Sequence, residues 1–437
     1  MSSIPTSAPP PEAPLRVNAL RILGTTATRN SFLNSVTSHV FKAGTTEEVM
    51  QRVETIATQL QKHDIFDEIK IYLDTNHAIP DTVDVTLHLK EKEKGLFQTK
   101  VNVGDNQAEL NGGVGLRNVF GGAESGAVNF SFGNRTKAAV ESVFETPFRG
   151  NANTRMGVFL NGSIRDHSQI NAYRESAKSS GVRFKGWTQY GEHQVAYAVT
   201  EREVTALSTA SATVRSQSGT NHKQSVYHSF VRDQRNSATL PTRGHFLGIY
   251  QELSGLGGRG DTSFLKHEMQ ASFHQALVDE GDSKLVFSTS VRAGLFTALN
   301  DKENEQMHMS DRFYVGGPLS VRGFKMGGIG EREGNDALGG EGYWAAGASL
   351  ISSIPGLSHL PIKAHAFANA GSIVTRAGTP SDTIKDLSET PRTSVGFGLI
   401  LHHSIARLEA NYCIPLKYAG TDLPEPKLQF GFGLNFL

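Results

Sequence analysis

From Leu96 to Leu437 the chain alternates apolar and polar residues with period two, and no other feature constrains its fold as tightly. In 284–296, Leu285, Phe287, Thr289, Val291, Ala293 and Leu295 fall on one side, while Val286, Ser288, Ser290, Arg292 and Gly294 fall on the other. Residues 405–414 set Leu408, Ala410, Tyr412 and Ile414 against Arg407, Glu409, Asn411 and Cys413. In 427–437, Leu428, Phe430, Phe432, Leu434 and Phe436 oppose Gln429, Gly431, Gly433 and Asn435. Successive side chains of a strand point to opposite faces, so period two means strands. Charges and glycines occupy the face that would be the core of a soluble sandwich. The apolar face must then meet something extensive and greasy while the other meets water or a polar plug, as in a membrane barrel. A soluble sandwich stays open, since short alternations do not say which face is buried.

The bulk numbers restrict the alternatives. Hydrophobic residues make up only 38% of the 437-residue chain, and no run approaches the roughly 18 to 20 apolar residues of a spanning helix, which excludes a helical membrane protein but not a barrel. Lys+Arg and Asp+Glu both number 43, so no net field draws the protein to nucleic acid. Cys413 is the single cysteine, which rules out an internal disulfide. Residues 1–14, rich in Ser, Pro and Ala, read as a disordered tail without a secretory signal.

Residues 15–95 read as a small α+β module. Val17–Leu23 is a strand, 30–40 a helix, and Thr45 with Glu48 a capping box opening a second helix whose Val49, Val53, Ile56 and Leu60 share a face. Two strands follow at 65–73 and 83–89, around a turn at 77–81. Beyond it the fold class is mainly β: about 340 residues at roughly twenty per strand and connection give close to sixteen antiparallel transmembrane strands. They are placed at 97–104, 108–116, 125–133, 137–147, 153–164, 180–190, 192–201, 222–232, 244–254, 262–276, 284–296, 342–353, 361–370, 393–402, 404–414 and 427–437. Between two of them lies a long polar loop, 297–341, too long for a hairpin turn and too apolar at its tip to be merely solvated. That tip holds Val321, Arg322, Gly323 and Phe324. Arginine supplies a rigid fork of donors, glycine lets the backbone turn and phenylalanine anchors, a combination suited to insertion into a polar cavity.

Three motifs carry a resemblance. Asp233-Gln234-Arg235-Asn236 with Pro241-Thr242-Arg243-Gly244 resembles an Arg-Asn … Pro-Thr-x-Gly turn, Val321-Arg322-Gly323-Phe324 a loop motif, and Phe367-Ala368-Asn369-Ala370-Gly371 a Phe-x-Asp-x-Gly strand, all of the superfamily of bacterial surface antigens. The chain resembles the barrel-forming channel subunits of the mitochondrial sorting and assembly machinery, relatives of the central subunit of the bacterial barrel-assembly machine. The resemblance makes 15–95 a polypeptide-transport-associated domain, and the single module and missing secretory signal favour the mitochondrial branch. It implies that Arg322 docks on the strand of Phe367, Asn369 and Gly371. Asn369 stands where the family has a carboxylate, and an amide supplies no counter-charge; Glu341 is expected to supply it, with a cation–π contact to Phe367 or lumen water as alternatives.

The same resemblance implies an insertase of the mitochondrial outer membrane, with its N-terminal module in the intermembrane space. It would accept unfolded β-barrel precursors and fold them into lipid. Accessory subunits of the machinery on the cytosolic face and membrane lipid are the other partners, with no nucleic acid. A lateral seam is expected between the first strand, with Phe97, Val101 and Val103, and the last. There Gln429, Gly431, Leu434 and Phe436 also fit a barrel-targeting signal, polar-x-Gly-x-x-hydrophobic-x-hydrophobic. A translocation channel of two-partner secretion or plastid import, and a passive diffusion pore, are the rival functions. Gly255-Leu256-Gly257-Gly258-Arg259-Gly260 spells a dinucleotide fingerprint but precedes no helix, and His402 and His403 point to opposite faces of a strand. No catalytic, metal or cofactor site is expected.

Overall fold

The computed structural model describes residues 13–75, 79–104, 107–133, 135–258, 260–280, 283–299, 307–357, 360–375, 380–402, 407–433 and 436–437, with the main chain alone at 98–104, 107–109, 283 and 380. Leu434, Arg259 and His403, the side chains of Val101 and Val103, and most of the 1–14 tail lie outside the described residues.

The N-terminal part runs β1 (Arg16–Leu23), α1 (Asn30–Thr37), α2 (Thr46–Lys62), β2 (Phe66–Thr75) and β3 (Thr82–Glu91). The strands form a three-stranded sheet in the order β1-β3-β2, with β1 parallel to β3. The capping box forms: Glu48 N–H donates to Thr45 Oγ1 at 3.2 Å, and the Glu48 carboxylate accepts from Gly44 N–H at 2.8 Å. Val49, Val53, Ile56 and Leu60 of α2 are buried in the same cluster as Val83, Val85, Leu87 and Leu89 of β3. Ala123, from a connection of the large sheet, joins that cluster, so the two parts do not bury wholly separate cores.

The remaining strands are β4 (Gly95–Gly104), β5 (Gln107–Arg117), β6 (Ser125–Gly133), β7 (Thr136–Phe148) and β8 (Asn151–Asp166). There follow β9 (Tyr173–Trp187), β10 (Glu192–Ala206), a short helix α3 (Ala212–Ser216), β11 (Gly219–Asp233), β12 (Gly244–Ser254), β13 (Phe264–Glu280) and β14 (Ser283–Ala298). Within the long loop β15 (Arg332–Glu333) pairs with β16 (Asp336–Ala337). The chain then completes β17 (Gly342–Ser353), β18 (Ile362–Val374), α4 (Pro380–Glu389), β19 (Arg392–His402), β20 (Arg407–Lys417) and β21 (Leu428–Gly433).

Leaving out β15 and β16, the strands from β4 to β21 make one sixteen-stranded sheet in which each pairs antiparallel with its neighbours in chain order, β14 joining β17 across the loop. The first and last strands, β4 and β21, come side by side, and among the described residues no ladder joins them. The alternation resolves as an inverted core. On β20, Arg407, Glu409, Asn411 and Cys413 are buried, while Leu408, Tyr412 and Ile414 are exposed. On β19, Ser394 and Ile400 are buried, while Phe397 and Leu399 face outward. An outer wall of exposed Val, Leu and Phe is stable only against hydrocarbon, and this is a transmembrane barrel.

Two rims follow. The β5–β6 and β7–β8 connections touch the N-terminal module, through Arg29 to Glu124 at 2.6 Å and His63 to the Gly150 carbonyl at 3.2 Å. The long loop, α3 and α4 belong to the opposite, far rim. The expected strand at 180–190 begins earlier, at Tyr173, because the polar residues between lie on a wall that continues past the apolar belt. Of the expected last strand, Leu428–Gly433 is paired among the described residues, while Phe436 and Leu437 are buried inside the barrel.

Candidate functional site

The long loop folds back into the barrel, and its tip is buried in the lumen. Val321, Arg322 and Phe324 have no accessible surface. Main-chain geometry demands the intervening glycine: Gly323 has φ of 85°, and a Cβ there would lie 3.3 Å from Ser394 Cβ and 3.5 Å from Cys413 Cβ. Gly371 of β18 has a complementary role. A side chain there would come within 2.7 Å of Val321 Cγ2, so its absence makes the socket for Val321.

The Arg322 guanidinium reaches three acceptors. Nε and Nη2 donate to Glu409 Oε2 at 3.1 and 3.0 Å, and Nη1 donates to Asn369 Oδ1 at 3.2 Å and to the main-chain oxygen of Leu437 at 2.6 Å. Its faces are covered by Phe367, with the ring centroid 4.7 Å from Cζ, and by Phe436 at 5.6 Å. The planar fork thus meets two strand walls and the folded-in end of the last strand together, which an ammonium on a flexible stem does not match. Arg407 also pairs with Glu409 and stacks over Phe436 at 4.7 Å, and Asn411 Nδ2 donates to Glu409 Oε2 at 2.7 Å. A buried carboxylate between two guanidiniums is compensated where one facing an amide would not be.

The expectation for Glu341 is therefore corrected: the counter-charge to Arg322 is Glu409. Glu341 sits at the start of β17, where its carboxylate accepts from Met307 N–H at 3.1 Å and so ties down the beginning of the loop. Phe367, Asn369 and Gly371 do meet the loop. Glu409 belongs to the polar side of the 405–414 alternation, which was its only signal in the sequence.

Residues expected at the seam divide. Phe97 stands 87% exposed on β4. Gln429 instead turns inward: its Oε1 accepts from Gly323 N–H at 3.1 Å and its Nε2 donates to the Phe324 carbonyl at 2.9 Å. Gly431 leaves room for Phe436 and Pro318, which a Cβ would approach to 3.0 and 3.3 Å. Phe436, expected on the outer face, is instead buried as a lid over Arg322. Ser394 Oγ donates to the Arg322 carbonyl at 2.5 Å. The loop's other end is held by Asp311, which accepts from Arg202 at 2.8 Å and Lys223 at 3.1 Å. Burial raises the pKa of that carboxyl, but the two cations outweigh it and hold the group well below the usual carboxylate range. Asp422 bridges Arg392 at 3.0 Å and Gly330 N–H at 2.8 Å. These anchors were not found from sequence, since Asp and Arg on lumen faces look like ordinary solvated charge.

Among the described residues no cluster of three His, Cys, Asp or Glu side chains could hold a metal. The arrangement latches the loop tip to β18 and β20 through charge and hydrogen bonds.

Residues 118–436 match the model of the Omp85 superfamily domain. The chain is 34% identical to the sorting and assembly machinery component 50 homologue of Mus musculus, covering 94% of this chain and 88% of that protein. It is 31% identical to a SAM50-like protein of Schizosaccharomyces pombe, over 97% and 91% of the two chains. Among solved structures, BamA from Haemophilus ducreyi lacking POTRA domains 1–3 superposes with a TM-score of 0.74 at 18% identity, covering 96% of this chain and 84% of that one. CdiB from Acinetobacter baumannii does so with a TM-score of 0.55 at 14% identity, over 96% and 73%.

Proposed function

Since the chain belongs to the Omp85 superfamily, we propose that it is the insertase of a sorting and assembly machinery, folding β-barrel precursors into the mitochondrial outer membrane through the gap between β4 and β21. The difficulty it solves is physical. A strand cannot enter hydrocarbon with unpaired backbone groups, each of which costs several kcal/mol. An existing sheet with a free edge offers a template on which those groups pair before they meet lipid.

The observation that carries this reading is the state of the seam. β4 pairs with β5 continuously from Gly95 to Gly104, so its strand conformation is fixed, while its other edge has no ladder among the described residues. Opposite it, the described part of β21 is Leu428–Gly433, and Leu437 is bound to Arg322 in the lumen. One stiff free edge faces one displaceable strand. Residues 15–95 would form the polypeptide-transport-associated domain, placed in the intermembrane space to receive precursors, with accessory subunits on the cytosolic face.

The test is site-specific crosslinking of an arrested barrel precursor to positions 97–104. Crosslinks confined to those positions and to β21 support exchange at the seam. Crosslinks lining the lumen wall at β10–β13 instead would point to threading through the pore and overturn the reading.

A further inference from the structure

The outer wall carries an anomaly that insertion does not use. His193 of β10, His228 of β11, Gln251 of β12 and His267 of β13 share the outward parity of the apolar residues around them, and they join side chain to side chain. His193 Nδ1 lies 3.2 Å from His228 Nε2, His228 Nδ1 lies 3.5 Å from Gln251 Oε1, and Gln251 Nε2 lies 3.2 Å from His267 Nδ1. The row follows the strand register, with His228 opposite Gln251 and Gln251 opposite His267. It climbs from the module-side end of β10 to the far-rim end of β13. Hydrogen-bond chemistry gives it a direction. With the Gln251 amide nitrogen toward His267 and the rings neutral, His267 Nδ1 accepts and its proton sits on Nε2, while His228 Nδ1 donates to the Gln251 oxygen and its Nε2 accepts from His193. Every link is used, and the row ends in one unspent donor, His267 Nε2–H, which has no hydrogen-bond partner among the described residues.

His267 is also part of the lining of a cavity. Between α4 and the outside of the wall lies a groove of about 670 Å³, lined by Ile249, Met269, Ala293, Leu295, Trp344 and Leu387, with His267 at its edge. Its roof is fixed. Trp344 Nε1 donates to the Leu387 carbonyl at 3.0 Å, and Thr383 is fully buried against Gly342, where a Cβ would approach it to 2.9 Å. Ile384, on the same helix, is 65% exposed beside the mouth. The walls are apolar, the mouth opens on the lipid-facing surface, and the polar end lies near the far rim. An indole near a barrel rim belongs to the head-group level.

We propose that this groove holds a glycerophospholipid of the far leaflet, one acyl chain beneath α4 and its phosphodiester accepting from His267 Nε2–H. Apolar walls on the lipid-facing surface suit an acyl chain, and the His267 donor suits an anionic oxygen and not a second chain. The site rests on the barrel's spanning a membrane and not on what it inserts.

The test uses the full chain in phosphatidylcholine vesicles carrying a trace of phosphatidylcholine with a diazirine in one acyl chain. After illumination, peptide mass spectrometry should find adducts at Met269, Trp344 and α4 several-fold above those at Val158 and Leu399, exposed positions elsewhere on the wall. Ala293→Phe, which fills the groove, should lower the groove adducts several-fold and leave Val158 and Leu399 as the internal standard of a folded barrel. Leu387→Asp, which changes the roof without touching a strand, should do the same. His267→Ala should weaken labelling by the phospholipid probe and not by a diazirine diacylglycerol, which lacks the phosphate. Uniform labelling around the wall, or labelling indifferent to both groove variants, would overturn the site. So would groove labelling present in the purified chain but lost in native membranes, which would put a partner's polypeptide segment there.

Discussion

At the scale of residues, Arg322 is held by more than its ion pair with Glu409. Breaking a buried pair by removing one partner costs about 3 to 5 kcal/mol, because the remaining charge is left uncompensated. Here Arg407 still faces Glu409 after Arg322→Ala, so the expected loss is about 3 kcal/mol in the docked loop, with the sheet intact and precursor assembly slowed. Arg322→Lys should recover only part, since one ammonium cannot reach Glu409, Asn369 and Leu437 together. Assembly of an imported barrel precursor in mitochondria carrying each variant is the measurement, with protease protection of the loop as the check on docking. Normal assembly rates with the alanine variant would end the docking role. Glu409→Gln should resemble Arg322→Ala, and Glu341→Gln should do much less. Arg322 and Asn369 were legible because motif and spacing mark them. Glu409 was not, because parity says which way a side chain points and not which loop comes to meet it.

At the scale of elements, the alternation located every strand of the large sheet, since period two survives wherever one face is apolar and the other is not. Strand ends were less legible. Phe436 and Leu437 depart from the expected strand because they are buried against the loop tip, a tertiary effect with no local signature. Docking of the N-terminal module was also illegible, since it depends on polar contacts of single residues with turns. Inside the module Glu91 makes a contact of the same kind: burial raises its pKa, but bonds from Thr28 and from the Ala27 and Thr26 N–H groups prevail and hold the carboxyl at about 2.

His63 makes the docking pH-dependent. Burial lowers its pKa from 6.5 to about 4, helped by Arg155, against a raising contribution from its bond to the Gly150 carbonyl. The unfolded form binds the proton more tightly, so stability is full above pH 6.5 and falls as pH drops through the window down to about 4. Hydrogen exchange of α2 amides, corrected for intrinsic rates, should show a loss of about 2 kcal/mol in protection between pH 7 and 5, and His63→Gln should flatten that slope. Equal slopes in both proteins would remove His63 as the cause. Deleting 15–94 should leave an inserted barrel with slower precursor handover, at the cost of exposing Ala123 and freeing Glu124. A truncated chain that failed to insert would place the boundary elsewhere.

At the scale of the whole molecule, the seam should be the least stable junction of the barrel. Cysteine pairs scanned between 97–104 and 428–433, in a Cys413→Ala background, should include one whose disulfide blocks precursor release and whose reduction restores it. Full activity with the seam locked would leave insertion to bilayer deformation or to partner subunits. The latch described above adds a thermodynamic consequence. Arg322 holds the Leu437 oxygen, and Gln429 of β21 holds the backbone of Gly323 and Phe324, so the loop tip and the last strand are each other's ligands. Their equilibria are linked, and linkage is reciprocal. Whatever a docked loop contributes to keeping β21 in place, an incoming strand that displaces β21 must subtract from the hold on the loop, by the same free energy. A precursor engaging at the edge of the barrel is thereby sensed in its centre, without touching anything there.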